Sequence, residues 1–167
     1  EGVRQDYYEA FRWYKAAAEQ GDAEAQYNLG LCYDKGKGVR QDYNEAIRWF
    51  KAAAEQGDVP AQCNLGYFYF LGKGVRQDYN EAFRWFKAAA EQGHVDAQYI
   101  LGMCYANGEG VRQDYNEAFR WFKAAAEQGD AEAQGNLGVC YYHGQGVQQD
   151  YNEAFRWFKA AAEQGYA

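Results

Sequence analysis

Cysteine and histidine are the residues of this chain with the most versatile chemistry, because they act as nucleophiles, general bases and metal ligands. The chain contains four cysteines and two histidines: Cys32, Cys63, Cys104, Cys140, His94 and His143. Neither histidine has a histidine or cysteine partner at the spacing of zinc ligands. Cys63 and His143 are too far apart along the chain to form a credible catalytic dyad. We therefore predict no metal site, no cofactor and no cysteine-based catalysis.

Hydroxyl and carboxylate chemistry is the next class to consider. The chain has no serine and no threonine, which excludes serine-type nucleophilic catalysis. Carboxylates spaced like Asp42 and Glu45 occur five times. A helix-capping pair is needed at every helix start, whereas an active site is needed once. The sequence therefore predicts a protein that is not an enzyme and has no catalytic residues.

These carboxylates recur because the whole chain repeats every 36 residues. Gly-Val pairs begin five copies, at Gly2, Gly38, Gly74, Gly110 and Gly146. Within residues 22–57, which span one full period, apolar residues recur at helical spacing. This spacing predicts helix A at about 23–35 and helix B at about 43–56. Glycines separate the two helices. The G-x-G of Gly36 and Gly38 follows a helix, so it indicates a turn and not a phosphate loop.

A period of this length predicts an all-α solenoid of helix-turn-helix repeats. We expect one solenoid over residues 1–167, beginning with a helix B at 7–20. Four helix pairs would follow, at 22–57, 58–93, 94–129 and 130–165. The chain begins inside a repeat unit, so we expect it to be a segment of a longer protein.

Charge and hydropathy limit the partners. The formal net charge is −7, which argues against nucleic acid as a ligand. No run of 18 apolar residues is present, so we expect no membrane insertion. The sequence shows no targeting segment, and bacterial cytoplasm, periplasm and secretion all remain open.

The repeat pattern A-Q-x-x-L-G-x-x-Y-x-x-G-x-G-V-x-x-D-Y-x-E-A-x-x-W-x-x-x-A-A-E-Q-G resembles the Sel-one-like repeat (SLR), a relative of the tetratricopeptide repeat. The resemblance covers essentially all of the chain. It implies a right-handed α-α superhelix with helix A on the concave face and helix B on the convex face. It also implies a scaffold or adaptor role in protein complexes, as in bacterial and eukaryotic signalling and in bacterial–host interaction.

The copies differ mainly in helix A. The 20-residue B unit departs from its own pattern only at Tyr8, Tyr14, Ile47 and Gln148, whereas the 16-residue A unit holds only six positions in all four copies. Five of the varying positions align with groove-facing positions of the tetratricopeptide pattern. We predict that they bind a peptide or a partner protein on the concave face, through Tyr27, Leu31, Asp34, Lys35, Cys63, Tyr67, Phe70, Leu71, Tyr99, Met103, Asn107, Val139, Tyr142 and His143.

Three alternatives remain open from the sequence. The variation can be drift on a tolerant face, or the chain can be a structural array that self-associates end to end. Resemblance to the cysteine-rich SLR subfamily implies a binder of small molecules or cell-wall fragments. In that subfamily a disulfide joins the two helices of a pair, whereas helix B has no cysteine here. Cys32, Cys104 and Cys140 occupy equivalent positions about 8–10 Å apart, too far for a bridge, so we predict buried free thiols and no disulfides.

Overall fold

The computed structural model describes the backbone of residues 2–165 and the side chains of residues 6–165. Within this part of the chain every regular element is an α-helix, which confirms the predicted all-α fold of 36-residue repeats. Nine helices are described: α1 (Gly2–Ala18), α2 (Ala23–Lys35), α3 (Tyr43–Glu55), α4 (Val59–Leu71), α5 (Tyr79–Glu91), α6 (Val95–Asn107), α7 (Tyr115–Glu127), α8 (Ala131–His143) and α9 (Tyr151–Glu163).

The helices are organised in two compact units, Glu1–Trp85 and Phe86–Ala167. Each unit is built from two alternating kinds of helix. We call α2, α4, α6 and α8 the A helices, and α1, α3, α5, α7 and α9 the B helices. Each A helix and the B helix that follows it come from one 36-residue copy of the repeat.

Aspartates fix most of the helix starts. The Asp22 carboxylate accepts a hydrogen bond from the Ala25 N–H at 2.7 Å, and the Asp42 carboxylate accepts from Asn44 and Glu45 at 2.9 and 3.1 Å. These bonds satisfy amide groups that have no partner within the helix.

In a full capping box, the glutamate carboxylate would also accept a hydrogen bond from the backbone N–H of the cap residue. In this structure another contact replaces that hydrogen bond. The Asp42 N–H donates to the Tyr33 carbonyl oxygen at 3.0 Å, and the Glu45 carboxylate accepts from Arg48 instead. The backbone of the cap residue therefore ties the start of each such B helix to the preceding A helix.

The first helix is longer than predicted, because α1 begins at Gly2 and not at residue 7. In a later copy, the corresponding segment is a loop held by the preceding A helix. The Gln41 side chain donates to the Asp34 carbonyl oxygen at 2.6 Å, and the Asp42 N–H donates to Tyr33. In that later copy, the contacts come from the A helix that precedes the segment.

Glycines end the A helices and open the loops. Gly36 has φ of 64° and its N–H donates to the Cys32 carbonyl oxygen, closing α2 with a left-handed residue. Gly38 has φ of 73°, so the G-x-G motif supplies turn geometry that other residues rarely adopt. This agrees with the turn interpretation of the motif.

Small residues let the A and B helices approach closely. A Cβ atom at Gly30 would lie 2.7 Å from the Phe50 ring, so only glycine fits there. Phe50 is fully buried, and its ring centroid lies 5.3 Å from that of Phe68 in a T-shaped arrangement. The aromatic pair contributes beyond its buried area, and the same glycine contact recurs between Gly138 and Phe158.

A buried glutamine in each of α2, α6 and α8 joins three consecutive helices. The Gln26 amide donates to the Ala18 carbonyl oxygen in α1 at 3.2 Å and accepts from the Gln56 side chain, after α3, at 2.8 Å. In the second unit, Gln98 makes the same two bonds with Ala90 and Gln128. This explains why glutamine occupies this position in all four A units.

His94 is the one described A-helix cap that is not aspartate. Its Nδ1 accepts a hydrogen bond from the Ala97 N–H at 3.4 Å, so it caps α6, and the residue is half-buried. The equivalent Asp130 bond, at the start of α8, is 2.7 Å long.

We predict that His94→Asp raises the free energy of unfolding by about 0.5–1 kcal/mol, because aspartate is a better cap and its charge favours the helix N-terminus. The matched exchange Asp130→His should lower it by a similar amount. Urea unfolding followed by circular dichroism measures both. Equal stability of the two variants and the parent would contradict the capping analysis.

Candidate binding surface on the A helices

The five varying positions of the A unit define the surface predicted to bind a partner, and we call it the variable strip. One copy reads Glu24, Tyr27, Leu31, Asp34 and Lys35 along α2. Helical geometry places these residues on a face different from that of the buried residues Ala25 and Leu29. The strip therefore lies on A helices whose opposite side forms the core.

In the first unit the strip is only partly open. Lys35, Tyr67 and Leu71 are exposed, and Leu71 shows 64% of its surface. Tyr27, Leu31, Asp34 and Phe70 are half-buried. Glu24 and Pro60 are exposed as well, so the exposed part combines an aromatic ring, aliphatic groups and two side chains of opposite charge.

The half-buried strip residues pack against neighbouring helices. The Tyr27 ring centroid lies 5.9 Å from that of Phe50, and the Asn64 side chain donates to the Tyr27 hydroxyl at 3.4 Å. Burial raises the pKa of the Tyr27 hydroxyl, and the hydrogen bond from Asn64 opposes that shift. The Phe70 ring meets Tyr79 at 5.2 Å. Tyr27 and Phe70 thus also stabilise the unit.

Asp34 is engaged in an ion pair that the sequence analysis missed. Its carboxylate accepts from the Lys73 ammonium group, which also lies 4.4 Å from the Tyr43 ring centroid and 4.9 Å from that of Phe68. The sequence does contain a signal for this pair, because Lys73 follows α4, the next A helix after α2, and its charge is opposite to that of Asp34. The later copies have Glu109 and Gln145 at the position of Lys73.

In the second unit the strip is most open on α8. Val139, Tyr142 and His143 are exposed, and the Tyr142 ring contacts both His143 and Tyr151 at 4.9 and 5.4 Å. On α6, Asn107 is exposed, whereas Tyr99 and Met103 are half-buried and pack on the cluster around Phe122. The residues of α8 therefore offer the larger apolar contact area of this unit.

One predicted strip residue is wrong. Cys63 is only 4% exposed and cannot offer a contact surface to a partner. Its small apolar side chain fills the interior, as cysteine commonly does. The other cysteines are buried free thiols, as predicted.

The described residues contain no group of three or more histidine, cysteine or acidic side chains placed to hold a metal ion. The same residues include no helix that is both long and apolar enough to cross a bilayer.

Comparison with protein families finds the Sel1 repeat model at residues 1–22, 23–58, 59–94, 95–130 and 131–166. The five matches cover nearly the entire chain and follow its 36-residue period. No curated protein matches the chain at a significant level.

Solved structures of Sel1 repeat proteins are also similar to this chain. A Sel1 repeat protein from Oxalobacter formigenes is 41% identical over 94% of this chain, with a TM-score of 0.88. A protective antigen of uropathogenic Escherichia coli with an SLR fold is 44% identical over 93%, with a TM-score of 0.90. The chain spans 65% of the first protein and 33% of the second. Helicobacter pylori cysteine-rich protein B shares the fold, at 24% identity, a TM-score of 0.64 and coverage of 81% of this chain and 97% of its own.

The buried thiols give a testable property. Burial raises the pKa of Cys104 from 9.0 to about 12 and that of Cys140 to about 11. Because the thiolate is the nucleophile, both thiols stay protonated and unreactive at pH 8 in the folded protein. Their contribution to stability is complete below the ordinary thiol pKa and is lost as pH rises toward the raised values.

We predict that a thiol reagent at pH 8 labels Cys104 and Cys140 only in denaturant. A Lys51→Cys variant, with its new thiol on the exposed face of α3, supplies the reference rate for an accessible cysteine. Native labelling of Cys104 at that reference rate would refute the burial described here.

Proposed function

This chain belongs to the Sel1 repeat family, and we propose that it is a non-catalytic scaffold that binds a protein or peptide through the exposed residues of the variable strip. Sel1 repeat proteins are generally protein-interaction scaffolds. In the first unit the proposed contacts are Lys35, Tyr67 and Leu71. In the second they are Asn107 on α6 and Val139, Tyr142 and His143 on α8.

The observation that carries this proposal is the contrast between two exposed faces. On α3, α5, α7 and α9 the same ion pair recurs: for example, Arg48 pairs with Glu45, and Arg120 with Glu117, both at 3.4 Å. Exposed pairs of this kind contribute little to stability, so the fold alone does not require their constancy. Toward the ends of the A helices the strip residues differ in every copy, as at the position that reads Lys35, Leu71, Asn107 and His143, although they belong to the same repeats.

The chemistry of the exposed strip suits protein recognition. Tyr67 and Tyr142 offer rings with a polar end, next to the aliphatic Leu71 and Val139. Aromatic side chains among polar neighbours are typical energetic anchors of protein interfaces. Each unit would hold an apolar segment of the partner by such an anchor.

A second candidate function is end-to-end self-association. Trp13 on α1 is 75% exposed, whereas the equivalent Trp85 and Trp121 are buried. Phe155 on α9 is 70% exposed, whereas the equivalent Phe119 packs against Tyr141 at 5.4 Å. Large exposed apolar side chains of this kind favour association between protein molecules.

We predict that the double variant Tyr67→Ala/Leu71→Ala weakens partner binding at least about tenfold, because it removes an aromatic anchor and its apolar neighbour. Affinity capture from lysate first supplies a candidate partner, and calorimetry with that purified partner gives the dissociation constant. The control variant Arg48→Ala/Lys51→Ala alters the outer face of α3 and should bind like the parent.

Equal affinity of both variants for the partner would refute the strip as the binding surface. Concentration-dependent assembly of the chain alone, without a partner, would favour self-association. Phe70 is left intact in this test. Its replacement would remove the ring contact with Tyr79 and would therefore change the stability of the protein as well as its affinity for the partner.

A further inference from the structure

The exposed face of α4 carries no charge along its whole length. The exposed residues of this helix are Pro60, Tyr67 and Leu71, and their spacing places all three on one face. α4 has no aspartate, glutamate, lysine or arginine, whereas α2, α6 and α8 each have at least one. A neutral stripe therefore runs from the first turn of α4 to its last turn.

The preceding A helix, α2, carries opposite charges at its two ends. Its exposed residues are Glu24 and Lys35, which occupy the repeat positions of Pro60 and Leu71. Neither charge forms an ion pair within residues 6–165. Both positions are exposed on all four A helices, including α4, which has a repeat on each side. Their exposure is therefore a property of the repeat itself.

Two contacts show that α2 and α4 lie side by side and run in the same direction. In their N-terminal halves, the Asn64 side chain donates to the Tyr27 hydroxyl at 3.4 Å. At their C-terminal ends, Lys73 pairs with Asp34. The neutral stripe on α4 consequently lies beside a carboxylate at its start and beside an ammonium group at its end. The two charges are about 16 Å apart along the axis of α2.

We propose that α2 and α4 together dock an amphipathic helix of a partner protein that has an acidic side chain near one end and a basic side chain near the other. The acidic side chain would pair with Lys35, and the basic side chain would pair with Glu24. Apolar side chains between them would pack on Tyr67 and Leu71.

Backbone hydrogen bonding favours a helix over an extended segment on this surface. The Asn28 side chain donates to the Glu24 carbonyl oxygen at 2.9 Å, and the Asn64 side chain donates to Tyr27. The amides beside the two exposed faces are therefore already engaged. An extended segment would find few partners here for its N–H and C=O groups, whereas a helix satisfies its own. Apolar anchors at helical spacing are the usual means of such docking.

The second unit has a different charge pattern at the same positions. On α6 these positions hold Asp96 and Asn107, and on α8 they hold Glu132 and His143. A carboxylate at the start of each helix thus has no lysine at the far end. The charge pattern that selects a helix with opposite charges at its ends belongs to the first unit.

This inference rests on the proposed function, because Lys35, Tyr67 and Leu71 are among the contacts proposed there. It adds the chemistry of the partner segment and a role for Glu24. The two proposals can fail separately, because a partner can use the strip without being a helix of this kind.

The probe is a fluorescent peptide with a glutamate near its N-terminus and a lysine near its C-terminus, as far apart in sequence as Glu24 and Lys35. Leucines at helical spacing lie between them, and a staple on the opposite face keeps the peptide helical, since a short helix is marginal in water. Fluorescence anisotropy with the full chain at low ionic strength should give saturable binding, which Tyr67→Ala/Leu71→Ala should abolish.

A second peptide, with lysine in place of the glutamate, tests the charges. It should bind the parent about fivefold more weakly and recover that affinity with the Lys35→Glu protein. Lys51→Glu, on the exposed face of α3, makes the same change in net charge and should not restore binding of this peptide. Circular dichroism establishes that each variant is folded, because Lys35 also suits the C-terminal end of the α2 dipole.

The inference is overturned by lack of saturable binding, by binding that survives Tyr67→Ala/Leu71→Ala, or by equal recovery in Lys35→Glu and Lys51→Glu. If the peptides fail while the purified partner still loses affinity for Tyr67→Ala/Leu71→Ala, the proposed function stands and the helical partner is wrong. Self-association of the chain that Tyr67→Ala/Leu71→Ala abolishes would assign this surface to a second copy and overturn the inference too.

Discussion

The structure depends on a buried glutamine side chain whose amide NH2 group needs a hydrogen-bond acceptor and whose oxygen needs a donor. Each A-helix glutamine is buried among apolar side chains, and leaving a buried polar group without its partners costs about 1–3 kcal/mol. Gln26 meets this requirement with the Ala18 carbonyl on the preceding B helix and with the Gln56 side chain after its own B helix. Gln134 does the same with Ala126 and Gln164 in the second unit. Because these hydrogen bonds are directional, they fix the register of three helices at once.

Because buried residues fix the register of the helices, the residues on the exposed side of the A helix can vary. The glutamine and the close glycine contact at Gly30 lie at positions other than those of the strip. Residues such as Leu71 and Val139 can therefore change without disturbing the frame. Tyr27 and Phe70 are exceptions, because Tyr27 contacts α3 and α4 and the Phe70 ring packs against Tyr79. We infer that a constant frame with a varied exposed face is the physical basis of the proposed scaffold role.

The sequence predicted local features well and contacts between helices poorly. Helix bounds such as 23–35 followed from apolar periodicity, aspartate caps and glycines, which all act within a few residues. The burial of Cys63 and the pairing of Asp34 with Lys73 depend on how consecutive A helices pack, and neither can be read from one helix. The prediction that α1 begins at residue 7 was wrong, because it was carried over from later copies. In those copies the corresponding segment is a loop held by contacts with an A helix. Which exposed strip residues bind a partner stays a prediction.

A double-mutant cycle between Gln26 and Gln56 tests the role of the buried amide most directly. Methionine at either position keeps the side-chain length and removes the hydrogen bond between them. The account predicts a coupling free energy of about 1 kcal/mol in urea unfolding. Gln20→Met is the matched control, because Gln20 holds the same repeat position but donates only to the Ala16 carbonyl of its own helix. Coupling near zero, or an equal loss of stability in Gln20→Met, would contradict the claim that this amide fixes the register of the helices.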